Sequence, residues 1–336
     1  MGKRSYWIGL VLSLIFLFLF FRKIDLRGVW EIFKSVEYVY TFPLMVINLL
    51  AIWVRAKRWD YFLSPIKKVP MKELYNATAI GFMANNIFPA RVGEFVRAIV
   101  LGHRARISKT ASFATIVVER LFDGFTVLFL FLLVIFFMAF PPEHSSLFSQ
   151  GTLKSAALLS FVFYSLVLGI LLLLRFQNQR TYRIISFFLK RLPEKLSHKI
   201  TQKIDSFVSG LAVLKQWKDL LLIIFYSFFL WLMMSFAVYL LFLGFHFPLS
   251  LWAAIFLEVI LVFGVTLPSA PGYIGTFHWA CAAGLMFLGV EGNSAKGFAV
   301  VLWFVSFIPV TVLGLFLLWK EGISLNFLNK NKLPND

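Results

Sequence analysis

The chain has 336 residues, of which 60% are hydrophobic and only 15% are charged, and phenylalanine alone accounts for 41 of them. A soluble globular protein could not remove this much apolar surface from water, so the composition excludes that class and indicates a polytopic helical membrane protein. The net charge of +17 does not indicate nucleic-acid binding. Its basic residues cluster between apolar segments, as in cytoplasmic loops beside anionic lipid headgroups.

The N-terminal segment 1–23 combines Lys3 and Arg4 with an apolar run, which is also the pattern of a signal peptide. No small-residue cleavage site follows the run, so we favour an uncleaved first span over a cleaved leader. The single cysteine, Cys281, excludes a disulfide framework and a cysteine-based metal site. The sequence also shows no nucleotide-binding loop and no cluster of metal ligands, so we expect no cofactor and no metal.

Six continuous apolar runs are long enough to cross a membrane as helices. They are roughly 5–21, 42–63, 111–140, 152–175, 219–243 and 297–319. Two further apolar regions, 74–101 and 251–290, are interrupted in the middle by proline and glycine. The sequence therefore predicts an all-α membrane protein with about six full spans and two broken helical hairpins.

The distribution of lysine and arginine predicts the orientation of these elements. The connections 64–73 and 102–110 are basic, so the first broken hairpin is predicted to enter from the cytoplasm and return to it. The flanks of the second broken hairpin contain no lysine or arginine, so that hairpin is predicted to enter from outside. Both termini are then cytoplasmic in the cell (inner or plasma) membrane. The basic segment 22–41 has to be external, which does not fit the rule, and we predict a short amphipathic surface helix there.

These boundaries divide the chain into two membrane halves, 24–175 and 219–319, after the first span. The connector 176–218 is basic, and its apolar residues recur at helical spacing, which predicts an amphipathic stretch on the inner membrane surface. A structural linker is the simpler interpretation of this connector, and a regulatory or partner-binding role is the alternative. The tail 320–336 is also basic and is predicted to be cytoplasmic.

The two breaks share a short pattern, P-x-x-[V/I]-G-x-F. The first copy runs from Pro89 to Phe95 with Gly93 as its glycine, and the second from Pro271 to Phe277 with Gly275 as its glycine. Broken backbone at membrane depth is tolerated only against protein or a water-filled cavity, and inverted repeats with broken helices are a recurrent transporter plan. We therefore predict an inverted-repeat core in which both breaks line one cavity. An ordinary proline-kinked span or a surface loop is the alternative.

Ionisable residues inside the membrane are costly and are functional candidates by default. Arg91, Glu94 and Arg97 follow one another at three-residue spacing and are predicted to share one face of a helix that starts near Pro89. An arginine pair beside a helix N-terminus suits a phosphate. The preceding pair, Asn85 and Asn86, is expected to satisfy freed backbone groups and to contribute to headgroup binding.

A second charged group contains Glu119, Arg120 and Asp123 in the span that begins near residue 111. Its two carboxylates are four residues apart and face the same way, so they are predicted to offset the arginines, hold a proton or bind a cation, while Arg120 contributes to the headgroup site. Glu258 and His278 in the second hairpin are further candidates for charge balance or proton coupling. A purely structural salt-bridge network is the alternative for all of these groups.

Arginine and lysine residues at the inner end of the second span are mostly explained by snorkelling to the headgroups. They are Arg55, Lys57 and Arg58, with Asp60 beside them.

Three motifs carry a family resemblance over about residues 5–320. The first is N-x-x-x-P-x-R-x-G-E-x-x-R, from Asn85 to Arg97, and the second is E-R-x-x-D, from Glu119 to Asp123. The third is P-x-x-P-G-x-x-G, formed by Pro268, Pro271, Gly272 and Gly275. Together they resemble the flippase-like family that includes the transmembrane region of lysylphosphatidylglycerol synthases.

The resemblance implies a lipid-translocating membrane domain. This chain departs from the family pattern in the second break, where Tyr273 replaces a glycine and His278 stands in place of a glutamate. The chain ends shortly after its last span, without the soluble aminoacyl-transferase domain of the full synthases. The resemblance therefore argues against aminoacyl transfer, and we expect a non-enzymatic protein.

The sequence thus predicts a membrane transporter that moves a phosphate-bearing amphipathic lipid between leaflets, and its partners are expected to be anionic or polyprenyl-phosphate lipids. A separate lipid-modifying enzyme is a further candidate partner. The alternative function is that of a membrane-embedded enzyme or accessory subunit acting on polyprenyl-phosphate or glycolipid, with Glu94 or Asp123 as general base.

Overall fold

The computed structural model describes residues 26–88, 91–138, 158–166 and 217–322, together with the single residues 15, 151, 155 and 169. All regular elements in these residues are helical. We number nine helices: α1 Leu26–Ser35, α2 Thr41–Leu63, α3 Met71–Ile87, α4 Gly93–Ala105, α5 Lys109–Phe137, α6 Trp217–Gly244, α7 Leu251–Thr266, α8 Thr276–Phe287 and α9 Gly292–Lys320. Short 3-10 turns cover Tyr38–Tyr40 and Pro271–Tyr273, and residues 158–166 are helical.

Four of these helical segments are long and apolar enough to cross a membrane: Tyr38–Leu63, Lys109–Phe137, Trp217–Gly244 and Gly292–Lys320. They confirm four of the six predicted spans. The predicted span 5–21 lies outside the described residues except for residue 15, and the predicted span 152–175 is described only at residues 155, 158–166 and 169. The connector 176–218 lies outside them up to residue 216, since α6 begins at Trp217, and the tail lies outside from residue 323. The predicted short helix within 22–41 is present as α1, which packs against α9.

Each predicted broken region forms two helices that pack against each other, α3 with α4 and α7 with α8. Proline explains where the first arms stop, because the residue before a proline is driven out of the helical region. Phe88, Leu267 and Ala270 each precede a proline, and each has an extended ψ, of 145°, 144° and 165°. Pro89 itself lies outside the described residues.

The two breaks have similar backbone geometry. Arg91 and Tyr273 occupy the same position of the shared pattern, and both lie in the left-handed region, at φ 53° and 56°. This region costs a non-glycine residue about 1–2 kcal/mol, so strain is stored at the equivalent place in each break. Gly275 has φ 94°, a conformation that favours glycine.

Close helix approach also recurs in the two hairpins. A Cβ atom on Gly93 would lie 1.9 Å from the carbonyl oxygen of Gly81 on the facing arm. In the second hairpin, a Cβ atom on Gly264 would lie 2.5 Å from the Cβ atom of Ala280. Both hairpins therefore need a glycine, which has no side chain, where their arms meet.

The helix contacts follow a regular scheme. The long helices α2 and α6 pack against each other, and the first hairpin packs against α9 through α3 while the second packs against α5 through α7. Helix α4 contacts α5, and α8 contacts α9. The two hairpins therefore lie at the centre, each held by its own half and by the long helix of the other half.

Polar contacts join several helix ends at one face of the molecule. Asn76 Nδ2 donates to Glu321 Oε1 at 2.7 Å, and Arg104 forms an ion pair with the same carboxylate. Lys67 Nζ donates to the carbonyl oxygen of Ala105 at 2.8 Å. The start of α3, the end of α4 and the end of α9 therefore meet at one face. At the other end of α2 and α6, the backbone N–H of Glu37 donates to the Gly244 carbonyl at 2.9 Å.

Candidate functional site

A cavity of about 360 Å³ lies between the two hairpins. Its wall is built from the eight helices α2 to α9, from both breaks and from the segment 158–166. Much of this wall is apolar, including Leu44, Phe82, Val127 and Leu261. The predicted convergence of both breaks on one cavity is present in the geometry, since Arg91 and Tyr273 both line it.

Ionic and amide side chains also line this cavity and come from both halves of the chain. They are Asn48, Arg55, Asn85, Asn86, Arg91, Glu94, Arg120, Asp123 and Glu258. The cavity therefore combines an apolar wall with a dense group of charges.

A network of buried ion pairs lies beside the cavity and connects α2, α4 and α5. Arg58 Nη1 donates to Asp123 Oδ1 at 2.6 Å, and its Nη2 donates to Glu119 Oε1 at 3.0 Å. Arg97 Nη1 lies 2.9 Å from Glu119 Oε2. Arg120 Nη2 lies 2.6 Å from Glu119 Oε1 and 3.1 Å from Asp123 Oδ2. Glu119 is thus held by three guanidinium groups.

Neutral groups complete this network. Arg58 also donates to Ser227 Oγ at 2.9 Å, and Trp231 Nε1 donates to Asp123 Oδ1 at 3.1 Å, which attaches α6 to the network. The Arg97 guanidinium lies 3.8 Å from the ring centre of Trp59, a cation–π contact. The side chains of Arg58, Glu119 and Arg97 are at most 2% exposed.

The first break is positioned by its asparagines. Asn85 Oδ1 accepts a hydrogen bond from the Gly93 backbone N–H at 2.7 Å, which confirms that an asparagine satisfies a freed backbone group here. Asn86 Nδ2 donates to Thr311 Oγ1 at 2.9 Å and to the Phe307 carbonyl at 3.3 Å, which fixes the break on α9. The α4 N-terminus is therefore partly capped from within the protein.

The two breaks are also tied to each other's surroundings. Arg91 Nη2 donates to the Val265 carbonyl at the end of α7 at 3.1 Å. In the second break, Trp303 Nε1 donates to the Gly272 carbonyl at 2.7 Å. Arg91 thus bridges the first break to the second hairpin while it faces the cavity.

The structure brings seven predicted side chains to the cavity wall and places three others elsewhere. Those at the wall are Asn85, Asn86, Arg91, Glu94, Arg120, Asp123 and Glu258. Arg97 and Glu119 lie behind the wall in the ion-pair network. His278 packs between Phe277 and Trp303, with ring centres 5.9 and 5.7 Å away.

Two expectations from the sequence are wrong. Arg91, Glu94 and Arg97 do not share a helix face, because α4 begins only at Gly93 and Arg91 precedes it with a positive φ. Snorkelling does not explain Arg58, whose side chain is fully buried and paired with two carboxylates. Of that group, only the pair Lys57 and Asp60 is partly exposed, at about 30% each.

Sequence reasoning also missed cavity residues. Arg55 lines the cavity and lies over the Phe82 ring at 4.7 Å. A signal was present, since Arg55 and Arg58 are three residues apart in one apolar helix and so share a face. Asn48, Trp231 and Tyr164 also line the cavity, but their residue types in apolar spans give no separate signal.

Counting the charges divides the site into two sets. Arg58, Arg97 and Arg120 are paired with Glu94, Glu119 and Asp123, although the contact between Arg120 Nε and Glu94 Oε1 is long, at 3.8 Å. Three charged cavity residues have no ion pair within the described residues: Arg55, Arg91 and Glu258. The unpaired set therefore has one positive charge in excess.

Comparison with known proteins gives a family and distant relatives. The family described as lysylphosphatidylglycerol synthase TM region matches residues 6–314. Two proteins named UPF0104 membrane protein from Methanothermobacter thermautotrophicus are 22% identical over 311 residues, covering 89% of this chain and 90% of the relative, and 24% identical over 329 residues, covering 93% and 92%. A UPF0104 membrane protein of Methanocaldococcus jannaschii is 22% identical over 314 residues, covering 91% and 92%. No solved structure matches significantly.

Proposed function

The chain belongs to the family of the lysylphosphatidylglycerol synthase transmembrane region, and from this premise we propose that it is a flippase-type lipid transporter. It moves an amphipathic lipid with a phosphate-bearing headgroup between the two leaflets and leaves the lipid chemically unchanged. The observation that carries this proposal is the cavity between the two breaks. Within it, Arg91 has no acidic partner among the described residues.

The cavity suits a headgroup in size and chemistry. Its volume of about 360 Å³ lies within the range of small-molecule sites, about 300–1,000 Å³. Guanidinium groups bind phosphate oxygens through two parallel hydrogen bonds, and Asn85 and Asn86 place amide groups in the same wall. The apolar part of the wall contacts the attached glycerol or prenyl carbons and keeps them out of water.

We further propose that the two hairpins are re-entrant and that the halves form an inverted repeat. The four arms contain 17, 13, 16 and 12 residues. At about 1.5 Å per residue they are about 26, 20, 24 and 18 Å long, short of the hydrocarbon thickness of about 30 Å. An arm of this length supports a hairpin that turns back inside the membrane.

The contacts between helices support the repeat. If α2, α3, α4 and α5 are exchanged with α6, α7, α8 and α9, each contact between two of these helices maps onto another contact: α3 with α9 becomes α7 with α5, and α2 with α3 becomes α6 with α7. The shared left-handed positions, Arg91 and Tyr273, follow the same exchange. Such repeats place a substrate site at the meeting point of broken helices.

In this proposal the protein lies in the cell membrane with both termini cytoplasmic. The face where Glu321, Arg104 and Lys67 meet is the cytoplasmic one, because basic residues concentrate at its helix ends. Glu119 and Asp123 balance the arginines, as their short contacts support. Glu94 and Glu258, the acidic cavity residues with long contacts or no ion pair, are the candidates for a coupling proton.

The test is leaflet-resolved scrambling of labelled phospholipids and of a polyprenyl phosphate in proteoliposomes. We expect the wild type to move at least one of these lipids and Arg91→Ala to abolish that movement. Lys68→Ala is the matched control, because Lys68 is an exposed cation outside the cavity. If no lipid moves with a folded wild-type protein, or if Arg91→Ala transports as well as wild type, the proposal is wrong.

A membrane-embedded enzyme acting on a polyprenyl-phosphate lipid is the second candidate. One observation favours it: Glu94 lines the cavity, and its ion pair with Arg120 is long, at 3.8 Å, so its carboxylate is open to a substrate proton. Asp123 is less suited to that role because Arg58 and Arg120 already hold it. Mass spectrometry of the recovered lipid separates the candidates, since an enzyme changes the mass of its lipid and a transporter does not.

A further inference from the structure

Arg55 is unusual among the arginines of this site. Arg55 is only 8% exposed, and its side chain lines the cavity. Within the described part of the chain it makes neither an ion pair nor a hydrogen bond. Arg58, one turn further along α2, has three hydrogen-bond acceptors. A buried guanidinium group without a partner is costly, and such a group is retained where a ligand supplies the missing anion.

The surroundings of Arg55 hold it in position without neutralising it. The Phe82 ring lies 4.7 Å from its guanidinium carbon, and stacking of this kind fixes the plane of the group while leaving its N–H donors free. Asn48, which lines the same cavity, uses its Nδ2 to donate to the Leu44 carbonyl at 3.0 Å. The Phe82 ring thus orients the N–H donors of Arg55 beside the cavity.

The other charged groups are less available to an anion. Arg97 forms an ion pair with Glu119 and a cation–π contact with the Trp59 ring, and Arg120 forms ion pairs with Glu119 and Asp123. Arg91 has no acidic partner among the described residues but donates to the Val265 carbonyl. Arg55 therefore has the largest unused hydrogen-bonding capacity among the cavity arginines.

We propose that Arg55 is the principal anion-binding residue of the cavity and receives the phosphate group of the ligand, with Arg91 as the second contact. The inference rests on the proposed function for its ligand class and adds a residue that sequence reasoning assigned to snorkelling. Glu258 from the second hairpin and Asp123 from α5 line the same cavity and are the negative charges with which the phosphate has to compete.

The first test is binding of dihexanoyl phosphatidic acid and, separately, of inorganic phosphate to the purified full-length protein in neutral detergent, measured by calorimetry. We expect Arg55→Gln to weaken binding by about 10- to 100-fold, as for loss of a hydrogen-bonded charge. Arg55→Lys should lose less, because it keeps the charge without the planar fork. Lys57→Gln is the matched control on the same helix and should bind like wild type. Glu258→Gln should strengthen binding.

The two probes distinguish the source of the phosphate. Arg55-dependent binding of the lipid alone assigns the site to a headgroup, and Arg55-dependent binding of both probes assigns it to phosphate in general. Wild-type affinity of Arg55→Gln for both probes would overturn the proposal.

Thermal unfolding separates a binding role from a structural one. If Arg55 serves a ligand, Arg55→Gln removes an unpaired buried charge, so the empty variant should unfold at the same or a higher temperature than the empty wild type. A lower unfolding temperature for Arg55→Gln, together with wild-type probe affinity of the same variant at a temperature where it is folded, would show a structural residue instead. Scrambling by Arg55→Gln at the wild-type rate would refute this inference and leave the proposed function intact. Arg55-dependent binding without any scrambling would support Arg55 as an anion-binding residue and refute the proposed transport function.

Discussion

Arg58→Met is the sharpest test of the ion-pair network, because it keeps an unbranched apolar stem and removes the charged guanidinium group with its donors. In the wild type, three cations face three anions; the variant leaves two against three. Arg58 contacts two carboxylates, at 2.6 and 3.0 Å, and its own side chain is 0% exposed. Removing one partner of a buried pair costs about 3–5 kcal/mol. The hydrogen bond to Ser227 adds only about 0.6 kcal/mol, the average within membranes.

The assay is reversible unfolding of the purified protein in mixed micelles, with Lys57→Met as the matched control. Lys57 is adjacent in sequence, but its ion pair with Asp60 is partly exposed, so its loss should cost no more than about 1 kcal/mol. The double variant Arg58→Met/Asp123→Asn should recover at least about 1 kcal/mol, because it restores an equal number of cations and anions, two of each, in the network. Equal destabilisation by Arg58→Met and Lys57→Met would refute the reasoning.

Three further predictions follow from single contacts. Gly93→Ala should lower the free energy of unfolding by about 1–3 kcal/mol, because the added carbon overpacks against the facing arm. Gly292→Ala is the control and should be within about 1 kcal/mol of wild type, because its added carbon meets only a methionine sulfur at 3.7 Å. Chemical denaturation measures both variants, and similar free energies would contradict the close approach of the two arms at Gly93. Trp231→Phe removes a hydrogen bond to a carboxylate and should cost about 1.5–3 kcal/mol in the same assay, whereas a neutral result would show that the bond contributes nothing. Glu321→Gln removes the ion pair with Arg104, so amide hydrogen exchange at the end of α4 should become faster. Unchanged exchange would show that this ion pair does not hold the first hairpin in place.

The fold was largely predictable from the sequence because membrane helices follow simple rules. Apolar runs of sufficient length gave four helices now seen as candidate spans. Proline gave the breaks, since each pre-proline residue at the described break positions is extended. The repeated pattern predicted two similar breaks, and the equal conformations of Arg91 and Tyr273 agree with it. The exact start of α4 was missed, because a proline permits a helix start but does not fix it.

The candidate site was predictable in membership but not in the pairing of its charges. A polar residue in an apolar segment is visible in the sequence, so Arg91, Glu94, Asp123 and Glu258 could be chosen, and all line the cavity. Which arginine meets which carboxylate depends on how distant segments pack. Arg58, for example, reaches an acid 65 residues away, and no local spacing encodes that contact.

Arg55 and Arg58 show why the partners of a residue, rather than its type, decide its role. Both are buried arginines on one face of α2, yet Arg58 is held by α5 and α6, while in the described part of the chain Arg55 has no ion pair or hydrogen bond and lies between an aromatic ring and the cavity. A network whose charges are all paired resists rearrangement, so it suits the frame that holds the two hairpins together. A charge without a partner gains most from a ligand that brings the opposite charge. In this proposal the same residue type stabilises the fold at one position and binds a ligand one turn away, which is why Arg58→Met should lower stability while Arg55→Gln should leave it unchanged or raise it.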